Sequence, residues 1–354
     1  MPLLCVLRNA NKSNTYPMNS ADLNKFRETI SDHHQALLEW LATDDAESRS
    51  FPFGGSDLQS VLEVVSELKG TLEQIDKGQF GKCKVCRGEV EIECLEMDCT
   101  SEVCLEHFSE HQKRQLERDL ELAIKVYEHL LPCCVPAIDG LDTSFYHRPA
   151  RMIGGDYFDF FSDKTENQGF VIADVMGKGL PASILMANLQ ASLRILGPTY
   201  SQTEQLTGHL NRLFRFNMKL IRFISLFLVI VDHKNYRIRY TNAGHHPPLL
   251  YRSQSNSVSW LMPTGPALGL VKETSYHEKF LTFDPGDCLV LYTDGLVEAR
   301  GKNSEEFGEQ RLEKSVREYH NQSADQLVNS IRQKVELFAD DIIDDLTLLI
   351  IKRC

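Results

Sequence analysis

No stretch of this 354-residue sequence approaches the roughly 18 uninterrupted apolar residues of a membrane span, so a helical integral membrane protein is not expected. Positive charge is scarce: 38 Lys and Arg face 50 Asp and Glu, a formal net charge of −12 at pH 7. A nucleic-acid ligand is therefore not expected, because neutralising a phosphate backbone needs clustered Lys and Arg. No internal repeat of fixed period is visible. The opening MPLLCVLRNANKSN has no basic n-region and too short an apolar run for a secretion signal, so a cytoplasmic protein is expected.

The composition that remains, 42% hydrophobic and 25% charged, is that of a soluble globular chain, and the length suggests two or three units. Leu23, Phe26, Ile30, Leu37 and Leu41 recur at helical spacing behind Ser20, a capping residue. The acidic, Pro- and Gly-containing stretch from Thr43 to Asp57 reads as a loop, and Leu58, Leu62, Val65, Leu68, Leu72 and Ile75 form a second stripe. A helical hairpin is expected over 1–78, and a cysteine-rich module over 79–112. In the linker at 113–135, Leu116, Leu120, Ala123, Tyr127 and Leu130 alternate steps of four and three, the spacing of a short coiled coil and a route to a homodimer; a surface helix packed on its own chain fits it too. Pro132 and Pro136 end that helix. From 136 to 354 strand-length runs (GFVIADV, SLFLVIVD, RIRYTNAG, CLVLYTD, LTLLIIK) alternate with helix-like segments near 180–197, 203–220 and 323–339, which gives an α+β or α/β domain.

In that domain acidic residues sit where an apolar strand meets a Gly-rich or polar turn: Asp156 and Asp159 in GGDYFD, Asp174 in IADVMGKG, Asp294 in YTDGLVEA, Asp344 and Asp345 in DDLTLL. Strand ends hold side chains rigidly and Gly permits close backbone approach, so these carboxylates can converge on a cation. Oxygen ligands without adjacent His or Cys favour Mg2+ or Mn2+ over Zn2+, and two such ions suit metal-assisted phosphoester hydrolysis. A cysteine-phosphatase mechanism is not expected, because no Cys-x5-Arg occurs in the domain. His245 and His246 precede Pro247 and Pro248 and read as part of a strand-ending turn; Arg148 and Arg151, before GGD, are weak phosphate-binding candidates.

GGDYFDFF, DVMGKGLPAS, TNAGHHPPLL, GPALGL, YTDGLVEA and DDLTLLII, in this order, resemble the RsbU/SpoIIE branch of the protein phosphatase 2C (PPM) family over about residues 110–354. The resemblance implies an α-β-β-α sandwich, two antiparallel sheets face to face with helices outside, and a two-metal serine/threonine phosphatase site. It implies that Asp174 bridges both ions, the Val175 carbonyl binds one, Asp294 and Asp344 hold the other, and Asp156 reaches a metal through water. Asp345 is expected to support the site, with metal contact left open, and Asp159 to orient its turn. The implied chemistry is in-line attack of metal-activated water on phosphorus. The implied substrate is a phosphoserine or phosphothreonine on an anti-sigma-factor antagonist in a partner-switching pathway.

Five of the ten cysteines lie between Cys83 and Cys104. Cys83-x2-Cys86 followed by Cys104-x2-His107 has the spacing of a structural Zn2+ site. Cys94, Cys99 and His111 leave an alternative open, a B-box-like set of Cys99, Cys104, His107 and His111. IDKGQFGKCKVC and the second pair resemble the DksA/TraR zinc finger, whose hairpin tip enters RNA polymerase; Asp44 and Asp45 would lie at that tip here. A regulatory zinc finger upstream of a phosphatase is the first reading, and a polymerase-binding regulator with a vestigial phosphatase domain the second. Cys133 and Cys134, at the helix–domain junction, are either oxidant-sensing thiols or passive packing.

Overall fold

The structure, a computed structural model, describes residues 20–42, 58–97, 99–108, 110–150, 152–177, 179–217, 223–232, 234–271, 274–302, 305–340 and 344–354. Asp44, Asp45 and Arg151 lie outside them. The chain divides into a smaller unit, Met1–Ala123 with Phe216–Leu220, and a larger one, Ile124–Arg215 with Ile221–Cys354. Among the described residues no helix is long and apolar enough to cross a membrane.

In the smaller unit, α1 (Ser20–Ala42) packs on α2 (Leu58–Asp76). Ile30 and Leu37 on the first and Leu68 and Ile75 on the second are buried, as their helical spacing requires. Arg27, early in α1, pairs with Asp76 at the end of α2 at 2.6 Å, so the helices run in opposite directions. A tight loop follows, then α3 (Ile92–Met97) and a 3-10 turn at Leu105–His107. Helix α4 (Glu110–Leu130) stops at the residue before Leu131-Pro132, and its last turns belong to the larger unit.

The larger unit is an α+β sandwich. One sheet has the order β1 (Leu141–Arg148), β10 (Leu346–Arg353), β9 (Cys288–Tyr292), β6 (Leu249–Arg252), β7 (Ser257–Trp260). The other has the order β2 (Asp156–Ser162), β3 (Gln168–Val175), β4 (Ile224–Asp232), β5 (Arg237–Ala243), β8 (Lys279–Thr282). Every pairing is antiparallel. Phe170, Ile172, Phe227, Val229, Leu289, Leu291, Leu349 and Ile351 form the core between the sheets. Their neighbours Val290, Tyr292, Leu348 and Ile350 face the other way, into a second core with Leu312 and Val316 of α8 (Gly308–Tyr319) and Leu327, Ile331 and Val335 of α9 (Ala324–Phe338). Strands covered on both faces lose polar alternation, which is why CLVLY and LTLLII read as continuous apolar runs. Each such side chain contributes about 1.5–3 kcal/mol on burial.

On the opposite sheet α5 (Leu180–Leu196) packs against β2 and β3 through the buried Ala182, Met186, Leu189 and Leu193. Helix α6 (Thr203–Asn217) buries Leu206, Leu210 and Phe214. A capping box starts α9: the Ser323 hydroxyl accepts from the Gln326 amide, and Gln326 accepts from the Ser323 amide. Cys133 and Cys134, exposed beyond α4, have their sulfurs 3.8 Å apart.

Candidate active site

Antiparallel register places Asp156, the first residue of β2, directly opposite Asp174 of β3, and Asp174 in turn opposite Ser225 of β4. Two carboxylates facing each other across strands repel, which favours a proton or a cation between them. Asp156 is 1% exposed. Burial pushes its carboxyl well above the ordinary range, and Asp174 and Asp345 add to this; hydroxyl donation by Thr347 and Thr293 works in the opposite direction. Both hydroxyls converge on one oxygen, Thr293 Oγ1 at 2.7 Å and Thr347 Oγ1 at 2.5 Å from Asp156 Oδ2.

Asp294 opens the four-residue helix α7 (Asp294–Val297), directly after β9. Burial raises its carboxyl, with Asp344 and Glu298 adding to the rise and His246 opposing it. Asp344 reaches the same place from the start of β10, and its Oδ1 accepts from the Asp345 amide at 2.9 Å. Thr293, next to Asp294, joins this acidic pair to the Asp156–Asp174 pair. The two sheets therefore deliver their carboxylates to one end of the sandwich.

The glycines of the motifs make that end passable. A Cβ on Gly155 would come within 2.8 Å of the Val175 carbonyl oxygen, and one on Gly295 within 2.1 Å of the Asp345 carbonyl. Gly177 and Gly179 hold φ of 113° and 71° in the turn after Asp174, a region that side chains disfavour.

Asp345 faces a different task from its neighbour. Its carboxylate accepts from the amides of Ala150 at 2.7 Å, Gly155 at 2.6 Å and Asp156 at 3.4 Å, so it ties the GGD loop to β10. Asp159 is likewise engaged, accepting from the Tyr157 hydroxyl at 2.8 Å and from Arg194 Nε at 3.1 Å. Buried His245 links three elements. Its amide donates to Asn242 Oδ1 at 2.8 Å, Nδ1 lies 2.8 Å from Ser225 Oγ, and Nε2 lies 3.1 Å from the Tyr292 carbonyl. A carbonyl can only accept, so Nε2 carries the proton and Ser225 donates to Nδ1. Burial and His246 lower its pKa to about 3, so it is neutral near pH 7 and bonded on both sides, a pin for the turn between β5 and β6.

The structure also brings together residues that the motif reading did not join. His246, Asp294 and Glu298 place ligand atoms within 4.8 Å of one another. Glu298, the residue that ends α7, donates its amide to the Asp294 carbonyl at 2.8 Å, one helical turn on, so the two share a face. In the smaller unit Cys83, Cys86, Cys104 and His107 form a second such group within 4.8 Å; Cys94, Cys99 and His111 lie outside it. The Val85 amide donates to Cys83 Sγ at 3.4 Å and the Gly88 amide to Cys86 Sγ at 3.3 Å, while Cys86 and Cys104 sulfurs are 3.7 Å apart.

Residues 164–354 match the family described as Stage II sporulation protein E (SpoIIE). The chain is 30% identical over 253 residues to the phosphoserine phosphatase RsbU of Bacillus subtilis (strain 168), an alignment that covers 70% of this chain and 75% of the relative. The chain belongs to the SpoIIE family. That membership makes it a serine/threonine phosphatase, a hydrolase. The phosphoserine phosphatase RsbP of the same bacterium is 27% identical over 192 residues, covering 52% of this chain and 47% of that one. The SiaA-PP2C domain of Pseudomonas aeruginosa superposes with a TM-score of 0.60 at 18% identity, over 68% of this chain and 98% of that chain, which shows the shared sandwich fold.

Proposed function

We propose that this chain removes phosphate from phosphoserine or phosphothreonine of a partner protein, using two divalent cations of the Mg2+ or Mn2+ kind. They would be held by Asp156, Asp174, the Val175 carbonyl, Asp294 and Asp344. The observation that carries the reading is the convergence of these carboxylates at one sandwich end, with burial and mutual repulsion raising the proton affinities of Asp156 and Asp294. The donor set is oxygen throughout, which suits hard cations, and Gly155 leaves the Val175 carbonyl uncovered where a Cβ would crowd it. When bound, such ions supply a lowered water pKa and offset charge on the phosphoryl oxygens. The protein's own part is orientation: Thr293 and Thr347 fix the Asp156 carboxylate, Asp345 fixes the loop that carries it, and His245 fixes the strand ends beside Asp174 and Asp294.

The names of the relatives RsbU and RsbP, phosphoserine phosphatases, support phosphoserine as the group attacked, and we take the substrate to be a protein, an anti-sigma-factor antagonist in a cytoplasmic partner-switching pathway. The residues before 136 would regulate the reaction, with α4 as connector and as the helix through which a homodimer would form. The alternative, a polymerase-binding regulator with a vestigial site, is disfavoured by the retention of all these carboxylates. Full-length protein incubated with Mn2+ and phosphoserine-labelled proteins of its own cell is expected to release phosphate, to stop on EDTA addition, and to resume when Mn2+ is restored. Release from small phosphoesters but from no phosphoprotein would overturn the substrate class.

For the smaller unit we propose one structural Zn2+ on Cys83, Cys86, Cys104 and His107, as the likeness to DksA/TraR fingers implies. The amide-to-sulfur bonds support it: they stabilise thiolate. Burial pushes the Cys83 thiol up, but amides of Cys104, Cys86 and Val85 outweigh it and bring the pKa down to about 6. Cys104 goes the other way, to about 12, through burial and the neighbouring Cys83 and Cys86 sulfurs, a crowding of negative charge that a cation relieves. Elemental analysis is expected to find one zinc per chain. Cys83→Ser should lose it and make residues 78–107 sensitive to protease, while a zinc-free wild-type protein or two zinc ions per chain would remove the assignment.

A further inference from the structure

The last turns of α4 touch the catalytic unit through a hydrogen-bonded series that ends on Asp156. The Tyr127 hydroxyl lies 3.0 Å from His147 Nε2, His147 Nδ1 lies 2.9 Å from Thr347 Oγ1, and Thr347 Oγ1 lies 2.5 Å from Asp156 Oδ2. His147 and Thr347 are direct cross-strand partners on β1 and β10. Tyr127 is only 5% exposed, and the His147 ring sits between it and Phe158, with centroids 6.3 and 5.8 Å away. A second anchor holds the same helix end: the Leu130 carbonyl accepts from Gln190 Nε2 at 2.6 Å and from Arg194 at 3.4 Å.

The direction of this series follows from donor arithmetic. Thr347 donates its one hydrogen to Asp156 Oδ2 and so has only lone pairs left for His147. Nδ1 must then carry the imidazole proton, which leaves Nε2 bare, and Tyr127 supplies the hydrogen that Nε2 needs. Each group agrees with its part. Burial lowers the His147 pKa to about 4, so the ring is neutral with one donor and one acceptor. Burial, Asp345 and Asp156 push the Tyr127 hydroxyl up, so it keeps its proton.

Without the Tyr127 hydroxyl, the opposite tautomer competes. Nδ1 would then be the acceptor, and the single Thr347 hydrogen would turn from Asp156 to His147. Asp156 Oδ2 would keep Thr293 as its one hydroxyl donor, and the carboxylate would be held less firmly in the orientation that faces Asp174.

We propose that Tyr127 and His147 are positioning residues: by fixing the His147 tautomer, the docked end of α4 commits the Thr347 hydroxyl to Asp156 and so preorganises the cation site. The proposal rests on the reading that Asp156 and Asp174 serve that site. By linkage, whatever displaces the end of α4 weakens cation binding, and cation binding favours the docked helix.

The test is a double-mutant cycle on full-length protein with Tyr127→Phe and His147→Phe, both of which keep a buried ring. Mn2+ affinity is read by electron paramagnetic resonance of free Mn2+, with kcat and KM on a phosphoserine substrate and a thermal melt for folding. Tyr127→Phe is expected to weaken Mn2+ binding about tenfold, the size of one lost hydrogen bond of about 1.4 kcal/mol, and to lower kcat at saturating substrate with KM unchanged. Because the two groups act in series, Tyr127→Phe should add little in the His147→Phe background. Wild-type Mn2+ affinity in Tyr127→Phe, or additive effects in the cycle, overturns the proposal. Asp174→Asn, measured alongside, separates the two failures: if it binds Mn2+ like the wild type, the cation-site reading itself is wrong.

Discussion

Asp174→Asn is expected to lower Mn2+-dependent phosphate release from a phosphoserine protein by at least about a thousandfold, because a preorganised charge at the reacting group is worth several kcal/mol. The same change should not unfold the protein. Asn is nearly isosteric with Asp, and the substitution removes a carboxylate that stands opposite Asp156 in the β2–β3 register. Relief of cross-strand repulsion should leave the metal-free protein as stable as the wild type or about 0.5–1 kcal/mol more stable. Loss of activity with retained or increased metal-free stability is the signature of a residue kept for function at a structural cost. Full activity in the purified variant would remove Asp174 from the mechanism.

Asp345→Ala should behave in the opposite way. The Ala150, Gly155 and Asp156 amides lose their acceptor, and each buried amide left without one costs about 1–3 kcal/mol. The sum is reduced because the wild-type carboxylate is itself disfavoured by burial and by Asp344. A net loss of about 3 kcal/mol is expected, read as a lower urea midpoint with unchanged slope. Activity should fall with it, since the loop that carries Asp156 loosens. If Asp345→Ala instead kept full stability and lost only metal affinity, Asp345 would be a ligand, not a brace. The adjacent pair Asp344-Asp345 thus separates into one residue whose charge acts on Asp294 and one that braces backbone amides.

Several elements were legible because their signals are local. The runs GFVIADV, SLFLVIVD and LTLLIIK are apolar throughout since both faces of their strands are covered, and they appear as β3, β4 and β10. The helical segments near 180–197 and 323–339 carry wide apolar faces and appear as α5 and α9. Strand β1 carries no such signal: LDTSFYHR lies at a sheet edge and is half-buried along most of its length, so it has no continuous run. Helix α8 carries none either, because only Leu312, Ser315 and Val316 are buried in a polar sequence, too thin a stripe for a periodicity argument. His246 read as part of a turn beside its neighbour, yet it stands near Asp294 and Glu298, about fifty residues further along the chain.

By itself the sequence determined the chemistry available to this protein: hard oxygen donors at strand ends with glycines beside them, and a separate sulfur–nitrogen set at knuckle spacing. Those are properties of residue type and short spacing, which chain connectivity preserves. Only the tertiary structure decided which groups act on each other. Asp156 meets Asp174 through strand register, Asp345 turns to the amides of Ala150, Gly155 and Asp156, and Tyr127 reaches Asp156 through His147 and Thr347. The last two of these side chains are 200 positions apart in sequence and 2.9 Å apart in space. Such meetings are set by antiparallel pairing and sheet packing, in which a shift of one residue would turn every side chain to the other face.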